Sequence, residues 1–270
     1  MYQKTKRNNF NFFIEKSLKI RRLLIEMLFN AQSGHAGPSL SIVELLVYFY
    51  FSNNDFKNEN FKFIISKGHA VPAWYATLIE LGVLKKKDKF NLRKLNSKLQ
   101  GHPDRNFMKE VDSGTGALGQ GLSVAIGYAI ANKLKKKKSK VICILGDGEL
   151  QEGQIWEAAM YIGAKKINNL ITIIDNNKFQ NELSVKETLP LGNLKKKWES
   201  FGFKVEEING HSFNQIERVI NNFNLKKYKK PLCIIANTIK GKGIPFMENS
   251  GEWHSKVISK TDYEKCKEYL

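Results

Sequence analysis

Three cysteines in 270 residues, Cys143, Cys233 and Cys266, are too few and too scattered for a disulfide framework or a cysteine-rich zinc site. Two of them lie inside apolar runs and read as small buried hydrophobes. This usage fits a reducing cytoplasm, the predicted location. Long hydrophobic runs are also missing. The longest, such as Val141–Leu145, are strand-sized and far below the ~20 residues of a membrane span. The stretch FNFFIEKSLKI is broken by Glu15 and Lys16 and lacks the form of a signal-peptide core, so neither a secreted nor a membrane protein is expected. Proline is scarce, six residues in all, and no Pro- or Ser-rich linker divides the chain. No internal repeat is evident.

Acidic residues are outnumbered, 26 against 44 Lys and Arg, for a formal net charge of +18. The excess is mostly lysine in short clusters: Lys85–Lys87, Lys135–Lys138, Lys195–Lys197, and Lys226, Lys227, Lys229 and Lys230. Arginine, the better fork for guanine or phosphate, is sparse, and no RRM, zinc-finger or single-strand-binding pattern accompanies the charge. A solvated basic surface is the expectation, with an acidic protein partner compatible and nucleic acid not expected.

What is present is a sequence of alternating helices and short apolar strands. Helical spacing of Phe13, Leu18, Leu23, Leu24, Met27 and Leu28 predicts a helix over 12–31. A second helix is expected past Pro38, capped by Ser39 or Ser41. Further helices are predicted over 72–81, 117–134, 153–164, 194–202 and 211–223, and a last one in the tail. Runs at Phe61–Ile65, Val141–Leu145, Leu170–Ile174 and Pro231–Asn237 are almost wholly apolar, as suits a sheet covered on both faces. The fold class expected is α/β: a mostly parallel central sheet with helices on both faces and a helical lead-in over roughly 1–60.

Each apolar run ends in a polar motif: SKGHA after Ile65, GDGE after Leu145, DNN after Ile174 and KGKG soon after Asn237. Carboxyl ends of parallel strands share one edge, where ligands bind. Topology alone therefore gathers His69, Asp147, Asn177 and the Lys240–Gly243 loop around one crevice. The glycines of Gly146–Asp147–Gly148 permit close backbone approach to a diphosphate. The Asp147 carboxylate and Asn177 amide oxygen are hard donors that suit Mg²⁺ or Ca²⁺ rather than zinc. Neither a GxGxxG fingerprint nor a Walker loop is present. Glycines 119, 121 and 127 inside a predicted helix call for a close approach to compensate their ~1 kcal/mol cost. Four of five histidines, His35, His69, His102 and His211, adjoin glycine, and His254 follows Trp253. Without zinc spacing, they read as a hydrogen-bonding set for an oxygen-rich substrate.

The chain resembles the diphosphate-binding half of the transketolase family. The matching stretches are SGHAGPSLSIVELL (33–46), SKGHAVPAWYATL (66–78), GHPDR (101–105), GTGALGQGLSVAIGYAIA (114–131), GDGELQEGQIWEAAMYIG (146–163), the DNN run and TIKGKGIPFMENSGEWH (238–254). The family often has proline where Ala36 stands here. The resemblance implies Asp147, Asn177 and the Phe179 carbonyl as metal ligands. It implies Gly148, Glu149, Gly116, Ala117, Leu118, Asn177, His69 and His254 around thiamine diphosphate. His35, His69, His102 and His254 are implied as active-site histidines. Glu152 is implied as a buried acid beside the subunit interface, in a network linking two cofactors. It further implies transfer of a two-carbon ketol unit from a ketose phosphate to an aldose phosphate, as in the pentose phosphate pathway. The whole chain, 1–270, is expected to be one diphosphate-binding domain. The pyrimidine-binding domain is expected on a separately encoded C-terminal subunit, with two copies of each chain in the assembly. A split 1-deoxyxylulose-5-phosphate synthase-like enzyme and a non-catalytic regulatory subunit remain the alternatives.

Overall fold

A computed structural model describes residues 9–52, 61–224 and 229–270. Parts of the expected lead-in (1–8 and 53–60), and Lys226 and Lys227 of the last lysine cluster, lie outside the described residues. The lead-in comprises α1 (Asn9–Ala31), α2 (Ala36–Leu40) and α3 (Val43–Phe51). Then follow β1 (Phe61–Ile65), α4 (Val71–Glu80), α5 (Gln120–Leu134), β2 (Lys140–Gly146), α6 (Gly153–Ala164) and β3 (Leu170–Asn176). A small hairpin, β4 (Phe179–Gln180) and β5 (Leu183–Ser184), leads through α7 (Val185–Thr188) to α8 (Leu194–Ser200). The chain closes with β6 (Lys204–Asn209), α9 (Phe213–Asn224), β7 (Leu232–Asn237) and α10 (Lys260–Tyr269).

Five strands pair in the order β1-β2-β3-β7-β6, every pairing parallel. Period-two alternation sorts their side chains into two cores. Phe63, Ile65, Ile142, Ile144, Ile171 and Ile173 join residues of α1, α3, α4 and α9 on one face. Ile64, Cys143, Leu145, Ile174, Cys233 and Ile235 join α5, α6 and Trp198 of α8 on the other. The mostly apolar runs thus feed both faces of one sheet, as the α/β expectation requires.

The lead-in differs from expectation at its second helix. Pro38 lies inside the first turn of α2, where a missing N–H costs nothing. Neither serine caps α3, whose N-cap is Ile42. Ser41 Oγ instead donates to the Pro38 carbonyl and, at 2.6 Å, to Asp175. Helix α5 begins at Gln120, three residues later than predicted, because Gly119 has a left-handed φ of +83°. Gly121 is required by close approach: a Cβ there would lie 2.4 Å from Ser66 Oγ. Gly127 has open space around it, so close approach does not explain it in this chain.

Candidate active site

The carboxyl ends of β1, β2, β3 and β7 deliver four loops to one crevice, lined among others by Lys67, His69, Asp147, Asn177, Lys240 and His254. Gly146 of β2 is in register with Asp175 of β3, and Asp147 N donates to the Asp175 carbonyl at 3.2 Å. This register sets Asp147 beside the DNN turn. Its Oδ1 accepts from Gly148 N at 2.9 Å and its Oδ2 from Lys178 N at 2.5 Å. Burial, reinforced by Asp175, pushes its carboxyl up to about 7. A buried carboxylate whose hydrogen-bond partners are backbone amides is poised for a cation.

Asn177 is oriented by two bonds. Its Nδ2 donates to Asp175 Oδ2 at 3.0 Å, and its Oδ1 accepts from Phe179 N at 3.0 Å. Asp175 is fully buried and binds four side chains: Lys67 and Ser41 at Oδ2, Asn177 also at Oδ2, and Thr238 at Oδ1. Four chain segments are therefore joined at one carboxylate beneath the crevice floor.

Above that floor His35, His69 and His254 form a triangle with each pair of ring centroids 5.2 Å apart. Desolvation lowers all three. His35 falls to about 4, with help from Arg93, and His254 to about 3, with help from Lys240; His69, beside Lys67, lies well below its ordinary value. At neutral pH each ring can donate from one nitrogen and accept at the other. Lys240 is buried at 1% exposure. Its Nζ donates to the Asn181 carbonyl at 2.6 Å and lies 3.5 Å from His254 Nδ1. Burial and the Lys67 charge lower its pKa to about 8.

The family described as transketolase, thiamine diphosphate binding domain, matches residues 15–270. The chain belongs to this family. It is 41% identical over 266 residues to one subunit of the apulose-4-phosphate transketolase of Actinobacillus succinogenes, covering 95% of each chain. It is 37% identical to one subunit of the 6-deoxy-6-sulfo-D-fructose transketolase of a Clostridium species, covering 89% of each. Against the transketolase of Homo sapiens it is 34% identical over 98% of its own length but 43% of that protein. The crystal structure of Campylobacter jejuni transketolase superposes with a TM-score of 0.87 at 32% identity, again over 96% of this chain and 43% of that one. The transketolase fold expected from the motifs is therefore present.

Not every residue named from the transketolase resemblance meets the others. Gly148, Leu118 and Phe179 border the crevice. Ala117 is exposed and outside its lining. His102 is exposed at the rim and packs on Gly116, where a Cβ would come 3.1 Å from the ring. Glu149 borders the crevice, but its carboxylate is occupied by Ser66 Oγ, Gly119 N at 2.8 Å and Gly146 N at 2.9 Å, so it ties loops together. The acid of this turn that is buried within the chain is Glu149; Glu152, expected beside a subunit interface, is exposed in the single chain. His211 lies apart from the triangle, bonded to Glu44. Sequence reasoning missed Lys67 and Arg93. Lys67 carried a signal, a lysine inside SKGHA at a strand end. Arg93, whose Nη2 lies 3.3 Å from His35 Nδ1, comes from a poorly periodic stretch with none.

Proposed function

We propose that this chain is the diphosphate-binding subunit of a two-chain transketolase. With a pyrimidine-binding partner it transfers a two-carbon ketol unit from a ketose phosphate to an aldose phosphate. The observation that carries the reading is the convergence of Asp147 and Asn177 on one cleft floor beneath the triangle of neutral histidines. The two-chain assembly is supported by near-complete coverage of relatives that are themselves named as single subunits of transketolases, and a 2+2 complex is the expected form.

The residues present fit thiamine diphosphate and a divalent cation. The donors on offer are one carboxylate (Asp147), one amide oxygen (Asn177) and the Phe179 carbonyl, an all-oxygen set that suits Mg²⁺ and also accepts Ca²⁺. The Gln180 Oε1 at the crevice wall is buried without a hydrogen-bond partner. A Cβ on Gly148 would come 2.9 Å from Gln180, so the turn stays bare beside the anion. Lys240, and Lys67 behind it, supply positive potential there. When bound, the cofactor supplies the electron sink for breaking and remaking the carbon–carbon bond.

This chain's own contribution is positioning and proton handling. Asp175 holds the Asn177 amide with nitrogen inward; its oxygen accepts one bond from Phe179 N and keeps a second lone pair for the cation. His35, His69 and His254 hold sugar hydroxyls by hydrogen bonds and move protons at those oxygens. Arg93 anchors His35 while its Nη1 donates to Ser33 at 2.9 Å. His102, at the rim, is placed for the substrate's outer end. Glu152, exposed here, is placed to be covered on assembly and to link the two sites.

Co-purifying the native complex and assaying it with Mg²⁺ and thiamine diphosphate tests the reading. Ketol transfer from xylulose 5-phosphate to an aldose phosphate is the expected result. Turnover with pyruvate but not xylulose 5-phosphate as donor to the aldose phosphate would replace it with a synthase reading. Absence of cofactor binding by the assembled complex would leave a non-catalytic role for this chain.

A further inference from the structure

His211 adjoins glycine like His35, His69 and His102, yet no ring of the triangle touches it. Its surroundings define a different role. Its Nε2 accepts the backbone N–H of Ile239 at 2.9 Å, so the ring proton sits on Nδ1 and is donated to Glu44 Oε2, also at 2.9 Å. Glu44 receives the Arg21 guanidinium in a two-pronged pair, Nη1 to Oε1 at 2.8 Å and Nη2 to Oε2 at 2.9 Å. A third Arg21 donor, Nε, reaches the Lys242 carbonyl at 2.8 Å. The circuit runs from Ile239 through His211, Glu44 and Arg21 to Lys242. Lys240 sits between the two backbone groups it holds.

The same loop has no slack elsewhere. Gly241 takes φ +80° and its N–H donates to the Gly37 carbonyl at 3.1 Å. A Cβ on Gly243 would come 2.8 Å from Arg21 Nε, so the loop lies directly on the guanidinium. Arg21 and Glu44 are buried, with side chains 5% and 9% exposed, and His211 is 11% exposed. A buried ionic group of this kind is a poor source of net stability, because desolvation offsets the attraction. It is a good source of fixed geometry, since Arg offers a rigid planar fork.

We infer that Arg21, Glu44 and His211 are positioning residues for the Ile239–Gly243 loop. They set where the Lys240 ammonium meets the cofactor's diphosphate, from the side of the loop remote from the crevice. The inference rests on the thiamine diphosphate reading for the ligand, but the clamp itself belongs to this chain alone.

Three variants of the full chain separate the clamp from mere packing. His211→Asn reaches only the Nδ1 position and leaves the Ile239 N–H without its acceptor. His211→Gln places an amide oxygen near the Nε2 position and restores that acceptor. Arg21→Lys keeps a cation for Glu44 and loses the bond to Lys242. Hydrogen exchange of residues 239–243 is followed without cofactor, and thiamine diphosphate affinity is then measured by calorimetry with Mg²⁺ in the partnered complex. His211→Asn and Arg21→Lys should speed exchange across the loop and weaken the cofactor by about 10-fold or more, in the range of outer-shell partners. At saturating cofactor kcat should hold, and His211→Gln, which restores the Ile239 acceptor but not the bond to Glu44, should recover both readouts in part. Wild-type exchange in either folded variant would overturn the clamp. Unchanged cofactor affinity in either, beside a wild type that binds, would overturn its link to Lys240. A wild-type complex that binds no cofactor would instead overturn the functional reading, leaving exchange to decide the clamp.

Discussion

Lys67 Nζ donates to Asp175 Oδ2 and, at 2.9 Å, to the Pro38 carbonyl, in an ion pair whose side chains are 1% and 0% exposed. Removing one member of such a pair leaves an uncompensated buried charge. Lys67→Met should destabilise the chain by about 3–5 kcal/mol in chemical denaturation. A loss below ~1 kcal/mol would mean that Ser41, Thr238 and Asn177 alone satisfy the Asp175 carboxylate.

Asp147 is the one carboxylate in the proposed cation site. Asp147→Ala should weaken Mg²⁺-dependent cofactor binding by more than ~100-fold, beyond the 10–100-fold typical of outer-shell partners. Titration of the assembled complex checks this, and retained affinity would refute the ligand set.

The histidine triangle has a pH signature. Burial holds His35 at about 4 and His254 at about 3, and His69 is also well below its ordinary value, whereas all three take up protons near ~6.5 when unfolded. Depressed folded values mean stability present above ~6.5 and lost as pH falls toward 4 and 3. Asp147, raised to about 7, acts in the opposite sense, its contribution being lost as pH rises through that value. His102 is likewise lowered and Glu149 likewise raised by burial, so four histidines oppose two carboxylates, and the melting temperature of the cofactor-free chain should fall between pH 7 and pH 5. His254→Asn should make the slope shallower; an equal slope would contradict the assignment.

Gly251 opens the turn that carries His254, and a Cβ there would lie 1.7 Å from the Glu182 carbonyl oxygen. The two backbones must separate in Gly251→Ala. Displacement of His254 by about 1 Å is expected to lower kcat/KM by ~10-fold or more in the partnered enzyme. Wild-type kinetics would show that the turn absorbs the change without moving the ring.

Much of the fold was legible because apolar patterning is local. Helix α6 begins and ends where periodicity placed it, and four of the five sheet strands coincide with apolar runs. Strand β6 offers no such run, since Glu206 and Glu207 separate its two buried apolar residues, Val205 and Ile208, at a sheet edge. The start of α5 was misplaced because Gly119 looks like any helix residue until its φ is known. Within the site, adjacency to glycine grouped His211 with three true neighbours of the crevice and its rim. Nothing in that pattern distinguishes a loop facing the sheet edge from one facing Glu44.

By itself the sequence determined the parallel α/β architecture, the family, and the gathering of GDG, DNN and SKGHA at one edge. Strand polarity forces that gathering whatever the side chains do. Only the tertiary structure decided that Asp175 is the hub beneath Asn177 and that Glu149 is buried within the chain, tying three loops. It alone separated His211 from the triangle and joined it to Arg21. Those outcomes depend on which donors meet across segments distant in the chain, and a buried polar group takes its role from its partners, which no local pattern records.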